Sequence, residues 1–131
     1  LHLLSRRQRQ MCIRDRSTAE AYAKYDENPT EINPHYADFV SSIVCGSLSE
    51  GSGFISNVFT EIYHDSRIEE MKNDLLESGA VISEMTGSGS VVFGVFEIEE
   101  TAAYAKKILS GKYPHVFMTR PVNCGVYVLE R

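Results

Sequence analysis

The chain has 131 residues, 43% of them apolar and 24% charged. That balance suits one globular domain with a modest core and excludes global disorder. Its net charge of −5, from 13 basic and 18 acidic residues, argues against a nucleic-acid binder.

No run approaches the roughly 18 uninterrupted apolar residues that a membrane helix requires, so no membrane partner is expected. Cys12, Cys45 and Cys124 form no C-x-x-C pair and leave one thiol over, which excludes a disulfide scaffold and a four-cysteine zinc site. Cysteine used this sparingly suits a cytoplasmic location.

The charge is unevenly spread. Residues 1–16 hold five arginines and one acid, leaving eight basic and seventeen acidic groups to the remainder. This segment reads as a basic arm for nucleic acid or an anionic surface, as a targeting peptide, or as a non-native scar. The string RRQRQMCIRDR resembles a translated sequencing adapter. Residues 1–16 are therefore set apart as non-native. The domain is expected over 17–131, as part of a truncated parent.

Ser17-Thr18-Ala19-Glu20 has the S-x-x-E form of a capping box and predicts a short helix from Thr18 to about Tyr25. Asp26 to Pro34 is polar with two prolines and reads as a loop. Pro34 suits a first helical turn. Tyr36, Phe39, Val40, Ile43 and Val44 recur at helical spacing up to Cys45. That stripe places Cys45 in the core. Leu48 to Gly53 reads as a flexible loop. Ile55, Val58, Phe59, Ile62 and Tyr63 give a further helical stripe, broken at His64-Asp65, a pair expected to end that helix and cap the next. Ser66-Arg67-Ile68-Glu69 looks like a second capping box. It precedes an apolar face of Ile68, Met71, Leu75 and Leu76, and Gly79 sits where a left-handed cap is needed.

Beyond Gly79 the pattern becomes β-like. Ala80 to Met85 and Val91 to Phe96 flank Thr86-Gly87-Ser88-Gly89, so an antiparallel hairpin is expected. Gly94 within a strand implies a bulge or a close backbone approach. Ile98 to Ser110 reads as a helix with acids first and lysines last, matching the helix dipole. Val116 to Thr119 reads as a third strand. Val126 to Leu129, after a turn over Pro121 to Gly125, reads as a fourth. The fold class is α+β, with helices covering a small antiparallel sheet.

Chemistry concentrates in Met85–Phe96, MTGSGSVVFGVF. Gly87 and Gly89 permit positive φ and carry no side chain to obstruct a ligand. Successive N–H groups in such a turn form an anion-binding nest, and Thr86 and Ser88 add hydroxyls. The same glycines also serve a plain hairpin turn for geometry alone, and both readings stand. Gly46 and Gly51 have P-loop separation, but Ser52-Gly53 follows where Lys-Ser is required. His35 and Asp38 lie three apart without an evident third ligand, so solvated or capping roles are expected rather than a metal. Glu97, Glu99 and Glu100 read as a solvated first helical turn. No catalytic residue and no metal site is assigned to this chain.

MTGSGSVVFGVF resembles the third motif of the GHMP kinases, named for galacto-, homoserine, mevalonate and phosphomevalonate kinases. It is most similar to the branch whose pattern there is roughly M-S/T-G-S-G-P-T-V-F-G. Ser17 to Tyr22, Asn57 and Ile68 to Ala80 also resemble segments of that branch, so the likeness covers about residues 17–121. The resemblance implies a ferredoxin-like C-terminal domain of a kinase. With ATP and magnesium, its intact parent would phosphorylate the 2-hydroxyl of 4-diphosphocytidyl-2-C-methyl-D-erythritol, in isoprenoid precursor synthesis. It implies that Thr86, Gly87, Ser88 and Gly89 lie beside the ATP phosphates and that Tyr22 stacks on the substrate's cytosine. Tyr22 reads equally as an ordinary amphipathic-helix tyrosine.

Ser90 departs from the motif's proline. Val58 and Thr60 replace the Asp and Glu of an N-D-x-E segment, which leaves the role of Asn57 open. The P-x-x-x-G-L-G-G-S-S segment that cradles ATP, and the catalytic Lys and Asp, are absent. The implied partner is a missing N-terminal kinase domain, without which this chain is expected to be inactive. The alternative is a stand-alone α+β anion-binding or regulatory module.

Overall fold

The computed structural model describes residues 17–29 and 35–121. The segment 1–16, Pro34 and the strand expected at Val126 to Leu129 lie outside the described residues. Within them the chain forms α1 (Thr18–Glu27), α2 (Tyr36–Val44), α3 (Leu48–Gly51), a 3₁₀ turn (Ser52–Phe54), α4 (Val58–Tyr63) and α5 (Ser66–Glu77). Then come β1 (Ile82–Thr86), β2 (Val91–Val95) and α6 (Glu99–Leu109). The α+β class is as expected.

The helix ends follow local chemistry. Ser17 and Glu20 form the expected capping box, with the Ser17 backbone N–H donating to Glu20 Oε2 at 3.3 Å. At the start of α5 Asp65 is the cap, as expected of His64-Asp65, and Ser66 is not: Asp65 Oδ1 accepts from the Arg67 N–H at 3.0 Å. The second capping box is thus replaced by a carboxylate one residue earlier, which also complements the helix dipole. His64 ends α4 in the left-handed region, at φ 44°.

Gly79 has φ +98°. Its N–H donates to the Leu76 carbonyl at 2.9 Å, and the Ala80 N–H donates to the Leu75 carbonyl at 3.0 Å. Those two bonds make the expected glycine stop of α5.

β1 and β2 pair antiparallel from Ile82↔Val95 to Thr86↔Val91, the expected hairpin. Met85 and Val92 share one face, as do Ser83 and Gly94. Helix α5 packs against both strands. Gly94 carries no bulge but makes the other expected feature, a close approach. A Cβ there would stand 3.0 Å from Leu75 Cδ2 and 3.2 Å from Ala80 Cβ.

Helix α1 packs on α4. The core joins Ala21 of α1, Phe59 of α4, Ile68 of α5 and Met85 of β1, flanked by Tyr25, Met71 and Val92. Burying side chains of this size contributes roughly 1.5–3 kcal/mol each for the larger ones.

Three further expectations are corrected. Leu48 to Gly53 is helical rather than a flexible loop, with Ser47 Oγ accepting from the Glu50 N–H at 3.4 Å. Cys45 is exposed: it lies just past the last turn of α2, where the stripe has left the packed side. Residues 116–119 form no strand. Phe117 is 86% exposed, and among the described residues the sheet has two strands. No described helix is long and apolar enough to cross a membrane.

Candidate anion-facing glycine turn

The hairpin turn follows from its sequence. Gly87 at φ +59° and Gly89 at φ +100° both occupy the left-handed region, where side chains with a Cβ are strained. The Gly89 N–H closes the turn on the Thr86 carbonyl at 3.3 Å. The two glycines differ in surroundings. A Cβ on Gly89 would meet Met85 Sδ at 2.9 Å, whereas one on Gly87 would meet nothing within 4 Å. Gly89 is needed for packing beneath the turn, and Gly87 presents an open backbone above it.

Three side chains hold the turn. Asn57 Nδ2 donates to the Met85 carbonyl at 2.7 Å and to the Gly87 carbonyl at 2.9 Å. Its Oδ1 accepts from the Phe59 N–H at 2.9 Å, capping α4. Thr18 and Ser88 join hydroxyl to hydroxyl at 3.2 Å, across seventy residues of chain. Below, Glu84 is buried, with 7% of its surface exposed. Its Oε1 accepts from the Thr60 hydroxyl at 2.9 Å and from the Met85 N–H at 2.8 Å, and its Oε2 lies 3.3 Å from Lys72 Nζ. Burial of that carboxylate is offset by three donors.

Tyr22 lies one helical turn after Thr18 and so on the same face of α1. It is 55% exposed and packs edge-on against Phe59, ring centroids 5.2 Å apart at 76°. One side of the ring is fixed while the rest is open. On that face Thr18 reaches the turn through Ser88, while Tyr22 itself packs on Phe59.

An open cleft of about 690 Å³ adjoins the turn, lined by Arg67, Ile68, Ser88, Gly89, Lys112 and His115 among others. Its cations are committed within the protein. Arg67 pairs with Asp65 at 3.0 Å, which raises the guanidinium pKa above its usual value. Lys112 bridges Glu70 and Asp74 at 2.7 Å each, and its ammonium pKa is raised by hydrogen bonds to Asp74 and then Glu70. The Tyr113 hydroxyl donates to Asp74 Oδ2 at 2.5 Å. Asp74 is accordingly held below the usual carboxylate range by Lys112 and then Tyr113. Burial, followed by that carboxylate, pushes the Tyr113 phenol up.

Among the described residues no three His, Cys, Asp or Glu side chains converge as a cation site. His35 Nδ1 lies 3.1 Å from Asp38 Oδ2 on the surface. Glu97, Glu99 and Glu100 are exposed, and Glu99 pairs with Arg120.

Sequence reasoning left Asn57 open and gave no role to Thr18, Thr60, Lys72 or Glu84. The one available signal was Glu84 itself, a charge within a short apolar strand that demands a buried partner.

Over 115 residues the chain is 33% identical to a protein named 4-diphosphocytidyl-2-C-methyl-D-erythritol kinase from Caldanaerobacter subterraneus subsp. tengcongensis. The match covers 86% of this chain and 40% of the relative. The chain is a homologue of kinases of that name. A second, from Clostridium kluyveri, is 32% identical over 108 residues, covering 81% of this chain and 39% of the relative. A third, from Chloroherpeton thalassium, is 31% identical over 101 residues, covering 75% and 35%. The chain thus spans about two fifths of the length of these curated relatives. No family model matches it, and no solved structure does.

Proposed function

We propose that this chain is the C-terminal part of a 4-diphosphocytidyl-2-C-methyl-D-erythritol kinase of the GHMP family. In the whole protein ATP phosphorylates the 2-hydroxyl of the cytidylyl substrate. The observation that carries this reading is the M-T-G-S-G turn. It stands on a clamped hairpin with Gly87 unobstructed, within a chain homologous over most of its length to kinases so named.

Phosphoryl transfer depends on positioning and charge stabilisation, so a turn of backbone N–H groups contributes without supplying a base. The Gly87–Gly89 backbone faces the phosphates. Tyr22, held edge-on by Phe59, offers its open face to the cytosine. ATP and magnesium are held chiefly by the N-terminal domain, which also brings the catalytic Lys and Asp.

The test is to recover the reading frame upstream of codon 17 and assay its complete product with ATP, Mg²⁺ and 4-diphosphocytidyl-2-C-methyl-D-erythritol. Substrate-dependent phosphate transfer is expected from the complete product and none from the 131-residue chain. A folded complete product that transfers no phosphate would leave a stand-alone anion-binding module instead.

A further inference from the structure

We propose that Asn57 is the positioning residue of the glycine turn, setting the direction in which the Ser88 N–H is presented to an anion. This rests on reading the turn as phosphate-facing and goes beyond it to name the residue that makes it so.

The peptide joining Gly87 and Ser88 is trans, so its C=O and N–H point in opposite directions. Asn57 Nδ2 holds the Gly87 carbonyl at 2.9 Å. The Ser88 N–H must then point away from Asn57, toward the open side of the turn. Among the described residues it has no backbone acceptor. The second bond of the same Nδ2, to the Met85 carbonyl at 2.7 Å, ties the turn to the end of β1. One amide group thus uses both its hydrogens on the two carbonyls that bracket Thr86.

The amide oxygen has a separate task, capping α4 through the Phe59 N–H. Because of that cap, Asn57 sits on a fixed helix start packed in the core through Phe59, not on a mobile loop. The two tasks are separable by substitution. Serine is about as good an N-cap as asparagine, but its single hydroxyl cannot hold two carbonyls while accepting from Phe59.

The experiment uses the 131-residue chain, ¹⁵N-labelled, as wild type and Asn57→Ser. Two quantities are read: the heteronuclear NOE of Gly87, Ser88 and Gly89, and the dissociation constant for tripolyphosphate from the Ser88 amide shift. In the serine variant the Phe59 amide should stay in place and the thermal midpoint should change little. The NOE at the turn should fall to loop-like values, and the dissociation constant should rise roughly fivefold to tenfold. If Asn57→Ser does not fold, Asn57→Asp keeps the cap and is read by the NOE alone.

An unchanged NOE and an unchanged dissociation constant would overturn the proposal. If wild type shows no tripolyphosphate shift at the turn, the phosphate-facing reading fails. The NOE comparison then still decides whether Asn57 holds the turn.

Discussion

Glu84 is a carboxylate on a buried strand, and it survives there because Thr60, Met85 and Lys72 all serve it. Thr60 stands where the N-D-x-E pattern carries Glu, so a carboxylate still lies against that position, supplied from the neighbouring strand. Glu84→Ala strands the Thr60 hydroxyl and leaves the Lys72 ammonium only its longer pairing with Glu69 at 3.5 Å. It should lower unfolding stability by about 2–4 kcal/mol, whereas Thr60→Val, removing one donor, should cost only about 1 kcal/mol. Urea unfolding midpoints of the two variants check this order.

Asp74 behaves differently because its partners, Lys112 and Tyr113, come from the segment after α6. Its pKa is depressed in the fold by hydrogen bonds from Lys112 and then Tyr113. Its stabilisation is therefore present above the unfolded value of about 3.9 and is lost as pH falls through the lower folded value. Asp74→Asn should thus be less stable than wild type at neutral pH. The gap should close as pH falls below the folded value, as thermal midpoints across an acid series would show.

Elements show how much of the fold was legible. The hairpin, α5 and α6 could be read because each is fixed by signals close in sequence: β-forming runs around a glycine turn, an apolar stripe ended by Gly79, and acids leading into lysines. The misreadings have physical reasons. Leu48 to Gly53 is rich in serine and glycine, yet a cap from Ser47 and packing of Gly51 against Phe39 and Ser42 make it helical. Residues 116–119 have strand composition but no strand beside them, and composition alone cannot provide a partner.

The glycine turn was legible as a turn, but its support was not. The contacts of Asn57 with Met85 and of Thr18 with Ser88 cross 28 and 70 residues. At this scale Gly79→Ala should destabilise by about 1–2 kcal/mol or more. It combines left-handed strain with a Cβ 2.6 Å from Thr101 Cγ2. Gly94→Val should cost about 1–3 kcal/mol by overpacking against Leu75 and Ala80. Both are measurable as shifts in chemical-denaturation midpoint at constant m-value.

As a whole, the described molecule is a hairpin with α5 across it and α1 against α4, and this arrangement brings the glycine turn against the start of α1, the helix that carries Tyr22. It spans about two fifths of the length of its curated relatives. The central question is whether Gly87 serves hairpin geometry alone or a ligand as well.

The most direct measurement is kcat/KM of the complete gene product carrying Gly87→Ala, beside its thermal midpoint. A Cβ at Gly87 meets no atom of this chain within 4 Å, so the structural cost should be only the left-handed strain of about 1 kcal/mol. If phosphate closes on this backbone, kcat/KM should fall about tenfold to a hundredfold while the midpoint moves by a few degrees. Activity equal to wild type would contradict the account and return Gly87 to a hairpin residue chosen for its φ alone.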